Sequence, residues 1–242
     1  SVGPGNVFKD IIASGKVQRA ALGIEVKDAT PNDAAYVGLK DIRGVVVGGF
    51  PNGVDSPARK AGLEQGDVII TIDGQQVGYV AQLQQLVGFR HPGESVKVEV
   101  ARKGGIRKTF MVRLMEQNSD EQDASNQEQE QAKPSEDNAV TIDELGTAVQ
   151  ALTPQMAQEY ELSPDVRGLL VTEVDPNGPS YQVLLPPEAG GPDVIQAVEG
   201  TAIRTEGDLK RALKDAGKGT IVSIKIYNGQ TEQSRVERIR LE

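Results

Sequence analysis

Leu22-Gly23-Ile24-Glu25-Val26 returns in altered form as Leu145-Gly146-Thr147-Ala148-Val149. The likeness extends outward from these blocks. Thr30-Pro31, Arg43-Gly44-Val45-Val46-Val47 and Pro51-Asn52-Gly53 follow the first; Thr153-Pro154, Arg167-Gly168-Leu169-Leu170-Val171 and Pro176-Asn177-Gly178 follow the second. The offset is 123 residues at the Leu-Gly blocks, 124 at the Arg-Gly blocks and 125 at the Pro-Asn-Gly blocks. Such slow drift is what loop insertions give a duplicated fold, and a repeat this long is a domain rather than a solenoid unit. A chain of 242 residues suits two such domains.

Between the repeats the composition changes. From Glu116 to Asn138 there are eight acids and one base, Lys133, so this segment carries −7 of the chain's net −9. Acidity is therefore a property of the connection and not of the folded parts. A run of Gln, Asn, Ser and acid cannot bury enough apolar area to fold. As a flexible chain it would span roughly 25–30 Å. The division that follows is 1–19 as a connecting helix, 20–115 as the first domain, 116–139 as an acidic linker and 140–242 as a divergent second domain.

Other global features exclude chemistry. There is no cysteine, so disulfides and thiolate catalysis are absent. No run of about 18 apolar residues offers a membrane span. Ser1-Val2-Gly3-Pro4-Gly5 reads as the cut edge of a longer protein, with any export signal expected upstream.

Local signals sketch the elements. Asn6 is a candidate cap for a short amphipathic helix ending at Gly15. Strands are expected over 22–27, 44–50, 68–72, 95–102 and 107–114, with an Asp73-Gly74 hairpin turn. Thr30-Pro31 with Asp33 and Ser56-Pro57 start short helices, and Val80–Val87 has helical apolar spacing. In the second half strands are expected near 145–150, 168–174, 193–198, 219–227 and 231–241. The helix there is capped by Thr205 with Asp208 and ends at Gly217, and Asn228-Gly229 marks the last hairpin. The pattern is α+β and strand-dominated.

Val54-Asp55-Ser56-Pro57-Ala58-Arg59-Lys60-Ala61-Gly62-Leu63-Glu64-Gln65-Gly66-Asp67-Val68-Ile69, followed by Asp73-Gly74, resembles the signature of bacterial PDZ domains. The resemblance is looser in the second half, where Gly190-Gly191-Pro192-Asp193-Val194-Ile195 replaces the stretch from Leu63 to Ile69. Two such units preceded by Val7-Phe8-Lys9-Asp10-Ile11-Ile12 and Gly15-Lys16-Val17-Gln18-Arg19 resemble the C-terminal half of HtrA/Deg serine proteases. The resemblance implies two PDZ-like, partly open β-barrel or sandwich domains with two helices each, and makes residues 1–19 the tail of an absent protease domain.

A tight turn ahead of a strand can aim several backbone N–H groups into one concavity that holds a carboxylate. The strand after it can accept a peptide as an added strand. In the first domain these arguments place Ala21, Leu22, Gly23, Ile24, Val26, Val80, Leu83 and Leu86 around a peptide groove. In the second, the matching residues are Leu145, Gly146, Thr147, Val149, Leu209 and Leu213, with Thr147 giving a less apolar pocket than Ile24.

Catalysis within this chain has little to stand on. His91, the single histidine, lies in a turn-rich connection, and Ser56, Ser95 and Ser180 sit in cap, strand-edge or turn contexts with no Gly-x-Ser-x-Gly elbow. Gly48–Gly53 and Ala216–Thr220 are loops and not phosphate cradles. Lys97, Arg102, Lys103, Arg107 and Lys108 form a solvated hairpin face, and nucleic-acid binding is not expected. No cofactor or metal is expected.

The reading is a peptide-binding tandem from a periplasmic HtrA/Deg-type serine endopeptidase. It would capture apolar C-termini or exposed segments of misfolded proteins and regulate the protease domain. This chain would be monomeric and without a catalytic site, in a parent that is a trimer or larger. The alternatives are a non-enzymatic scaffold and a regulatory region of another envelope protease.

Overall fold

A computed structural model describes residues 19–51, 53–117 and 139–242. The expected helix capped by Asn6 and nearly all of the connecting segment and the linker lie outside these residues. Two compact units emerge. The first comprises the described residues of Ser1–Asp28, Arg43–Ala101 and Arg107–Ala124; the second comprises those of Ala29–Ile42, Arg102–Ile106 and Ser125–Glu242.

Strands of the first half are β1 (Ala20–Ala21), β2 (Glu25–Asp28), β3 (Val45–Gly49), β4 (Val68–Ile72), β5 (Gln75–Gln76), β6 (Ser95–Arg102), β7 (Ile106–Arg113) and β8 (Met115–Glu116). Its helices are α1 (Pro31–Tyr36), α2 (Pro57–Ala61) and α3 (Val80–Gly88). The main sheet runs β2-β3-β4-β6-β7, with β5 folded onto β4, while β1 pairs separately with β8. Val45, Val47, Ile69, Ile72, Val96, Val98 and Val100 point into a core that Leu83 and Val87 of α3 close from one side. Val47 and Val98 are wholly buried, as period-2 alternation in β-branched strands predicts.

The second half contains β9 (Val140–Ile142), β10 (Thr147–Ala151), α4 (Pro154–Glu159), β11 (Leu169–Val174), β12 (Asp193–Val198), β13 (Thr201–Ala202), α5 (Glu206–Ala216), β14 (Ile221–Asn228) and β15 (Gln233–Arg240). Its sheet runs β15-β14-β12-β11-β10-β9, with β13 on β12. Leu209 and Leu213 of α5 pack into a core with Val149, Leu169, Ile195 and Ile224. Both halves are α+β and strand-dominated.

The caps are those the sequence specifies. The Asp33 N–H donates to Thr30 Oγ1 at 3.2 Å, and the Thr30 N–H donates back to Asp33 at 2.8 Å. Thr205 and Asp208 exchange the same pair of bonds at 3.2 and 3.1 Å. Such reciprocal bonds satisfy N–H groups that a helix start would otherwise leave unpaired. Asp73 and Gly74 both have positive φ, 49° and 80°, the backbone of a type I′ hairpin.

Two details differ from expectation. The connection after β14 is a four-residue loop, because the buried Asn228 side chain accepts from the N–H groups of Gln230 and Thr231 and donates to Asp193. Asp193, fully buried, also takes two bonds from Arg235 at 2.6 and 3.0 Å. The second difference is β9, a strand that composition alone gave no reason to expect beside β10.

Candidate functional site

In the first unit the chain enters β2 through Leu22-Gly23-Ile24. Gly23 has φ +69°, and a Cβ there would stand 2.9 Å from Pro57 Cδ and 3.0 Å from Met115 Sδ. Only glycine fits both the backbone and the space. The Ala58 N–H, at the start of α2, donates to the Leu22 carbonyl at 3.3 Å and ties the turn to that helix. Among the described residues, no group accepts from the N–H of Gly23 or Ile24. Such unclaimed amides at a turn are anion-binding donors.

Beyond the turn, β2 is the terminal strand of its sheet among the described residues, paired with β3 on one side. Ile24 and Val26 are half-buried and pack on the core together with Val80 and Leu86 of α3. Leu22 and Leu83 are each 4% exposed and form the floor beneath them. Ala21 stands in β1 opposite Met115, one step outside the turn. The eight residues singled out in the sequence thus fall into a floor (Leu22, Leu83), a half-open apolar wall (Ile24, Val26, Val80, Leu86), the turn glycine and the strand leading to it.

Asp28 was missed by the sequence argument. Its carboxylate accepts from the Val80 N–H at 2.7 Å, bridging the far end of β2 to the first turn of α3. Tyr79, the residue before α3, makes no side-chain cap of its own, so Asp28 supplies the missing acceptor from another element. A residue 52 positions away in sequence gives no local signal of this kind. A separate depression of about 390 Å³ lies behind the turn, against Pro57, Ala61, Met111 and Met115. It shares no residue with the apolar wall.

The second unit repeats the turn but not the opening. Gly146 has φ +60°, its Cβ would meet Gly178 Cα at 2.7 Å, and the Ser180 N–H donates to the Leu145 carbonyl at 3.2 Å. Here the Gly146 N–H, counterpart of the Gly23 N–H, donates to Asp143 O at 3.1 Å, and the Leu145 N–H donates to Ile142 O at 3.2 Å. Leu145, Thr147, Val149, Leu209 and Leu213 are all buried. The Thr147 hydroxyl donates to the Glu173 carbonyl at 2.6 Å and so turns toward β11. The open edge expected on β10 carries β9 instead, with Ile142 opposite Thr147 and Val140 opposite Val149.

Among the described residues there is no group of three His, Cys, Asp or Glu side chains that could hold a metal, and no helix is long and apolar enough to cross a membrane.

Comparison with known proteins bears on this geometry. Residues 20–114 match the PDZ domain family. A probable periplasmic serine endoprotease, DegP-like, from Chlamydia muridarum is 28% identical over 93% of this chain and 40% of its own length. Its counterpart from Pseudomonas fulva is 30% identical over 91% of this chain and 43% of its own. The chain therefore spans about two fifths of the length of these relatives. Among solved structures, the HtrA-type protease AlgW with a decapeptide is 35% identical over 46% of this chain and 34% of its own, with a TM-score of 0.40. Residues 20–114 thus form a PDZ domain, within a chain that is similar along nine-tenths of its length to part of DegP-like serine endoproteases.

Proposed function

We propose that the first unit captures polypeptide C-termini by strand addition to β2, as part of a periplasmic serine endoprotease. One observation carries the reading: the terminal strand of a sheet begins at a turn whose Gly23 and Ile24 amides have no acceptor among the described residues, beside a half-buried apolar wall. A guest strand would satisfy the edge through main-chain bonds, its terminal carboxylate would meet the turn amides, and its last side chain would lie between Ile24 and Leu86. Relatives that are probable periplasmic serine endoproteases support an envelope protease as the whole protein. In it, this region would hold apolar ends of misfolded substrates and convey their presence to the protease domain. The assembly would be a trimer or larger, with residues 1–19 as the joint and 116–139 as the tether between two modules. A free scaffold would use the same groove but has no use for relatives that continue into a protease.

Affinity in such a groove is expected near the micromolar range, about −8 kcal/mol. The test is calorimetric titration of the whole chain with a pentapeptide ending in valine, once with its carboxylate and once amidated. Amidation is expected to weaken binding at least tenfold. Ile24→Asp is expected to abolish binding, since it sets a charge in a half-buried apolar site facing the ligand's own carboxylate. Equal affinity for the two peptides rejects carboxylate capture.

A further inference from the structure

We infer that the second unit is occupied by its own chain: β9 lies where a guest strand would lie, which leaves the first groove as the region's single peptide site. The comparison of the two grooves rests on the strand-addition reading above. The occupancy of the second rests on its own contacts.

Strand β9 runs antiparallel along the edge of β10, pairing Ile142 with Thr147, Thr141 with Ala148 and Val140 with Val149. The corresponding edge of β2 in the first unit carries no strand among the described residues. Residues 140 and 142 share a face by period-2 alternation, and Thr141 between them is exposed. Ile142 is fully buried in one cluster with Leu145, Val149, Leu209 and Leu213, and Val140 packs against that cluster. Ile142 therefore belongs to, and Val140 packs against, the apolar cluster of β10 and α5 residues that an apolar ligand would have to reach. The Gly146 amide, counterpart of the Gly23 amide, is spent as well, on the Asp143 carbonyl.

Chain length before the glycine explains why the halves differ. In the first unit β1 ends at Ala21, directly before Leu22, and leaves to pair with β8. In the second, Asp143 and Glu144 intervene between Ile142 and Leu145. The resulting four-residue loop is long enough to fold the incoming strand back as a hairpin on β10. A tethered strand meets its site at an effective concentration of order millimolar. A free peptide of micromolar affinity would have to displace both that strand and the fully buried Ile142.

Residue-resolved amide exchange on the whole chain tests this, with and without a saturating pentapeptide ending in valine. Strand β10 has neighbours on both sides, so every amide from Thr147 to Val149 is expected to exchange slowly before peptide is added, and no faster or slower afterwards. In β2, alternate amides are expected to exchange at least tenfold faster than those of β10, then slow on peptide addition. Fast alternate amides in β10, or added protection there with peptide, overturns the inference. Slow β10 amides with no peptide response in β2 leave it standing and reject the strand-addition reading instead.

Discussion

Replacing Gly23 by alanine tests the turn on which the first groove depends. The φ of +69° costs an L-residue roughly 1–2 kcal/mol. The new Cβ would also press on Pro57 Cδ at 2.9 Å, Met115 Sδ at 3.0 Å and Ser56 Cα at 3.3 Å. Overpacking of that kind costs typically another 1–3 kcal/mol. Gly74 provides the control, because its φ of +80° is similar but nothing lies within 4 Å of its Cβ position. The backbone penalty and the unfolded-state gain from Gly→Ala are common to both variants. The excess for Gly23→Ala, about 1–3 kcal/mol, therefore reports packing alone. With a urea dependence of about 1–3 kcal/mol per molar, the midpoint should fall on the order of 1 M further than for Gly74→Ala. Urea titration followed by the native amide signals of β4 reads this unit separately from the other. The valine-terminated pentapeptide should bind Gly23→Ala at least tenfold more weakly and Gly74→Ala unchanged. Equal midpoints and equal affinities for the two variants would refute the claim that the turn is held by its packing on α2 and β8.

Two further outcomes concern the second half. Asp193→Asn should destabilise it by about 3 kcal/mol, because it removes the buried carboxylate that Arg235 pairs with. Burial works against the Arg235 charge, and the hydrogen bonds and charges of Asp193 and Glu237 together outweigh it, holding the guanidinium pKa above its ordinary value. Denaturation of Asp193→Asn, of Arg235→Met and of the double variant checks the pairing; additive losses would exclude coupling. The second outcome is a pH dependence. Hydrogen bonds from Thr205 and the Arg204 backbone hold the Asp208 carboxyl below its ordinary 3.8. A depressed folded pKa means that the cap contributes fully above 3.8 and is lost as pH falls through the lower value. The carboxyl carbon of Asp208 should therefore titrate below 3.8, and the Thr205 amide should move with it; a midpoint at or above 3.8 would show that the capping box does not hold.

Local chemistry was legible where neighbours in sequence interact. Thr30 with Asp33 and Thr205 with Asp208 exchange cap bonds three residues apart, so their spacing alone announces them. Asp73-Gly74 likewise carries its turn in two residues. The glycine turns and apolar strands repeated between the halves placed both cores, because period-2 alternation depends on which face is buried and not on the partner. Long-range pairing was not legible. Nothing near Asp28 points to the Val80 amide, and nothing in Val140-Thr141-Ile142 tells whether the strand leaves for another edge or folds back on β10. A strand edge is closed by whichever backbone reaches it, and backbone donors and acceptors are the same in every sequence. The amino-acid order alone thus determined two copies of one strand-rich fold, each entered through a glycine turn. Only the tertiary structure decided that the amides of one turn find no acceptor among the described residues while the other turn folds the chain's own strand back on β10.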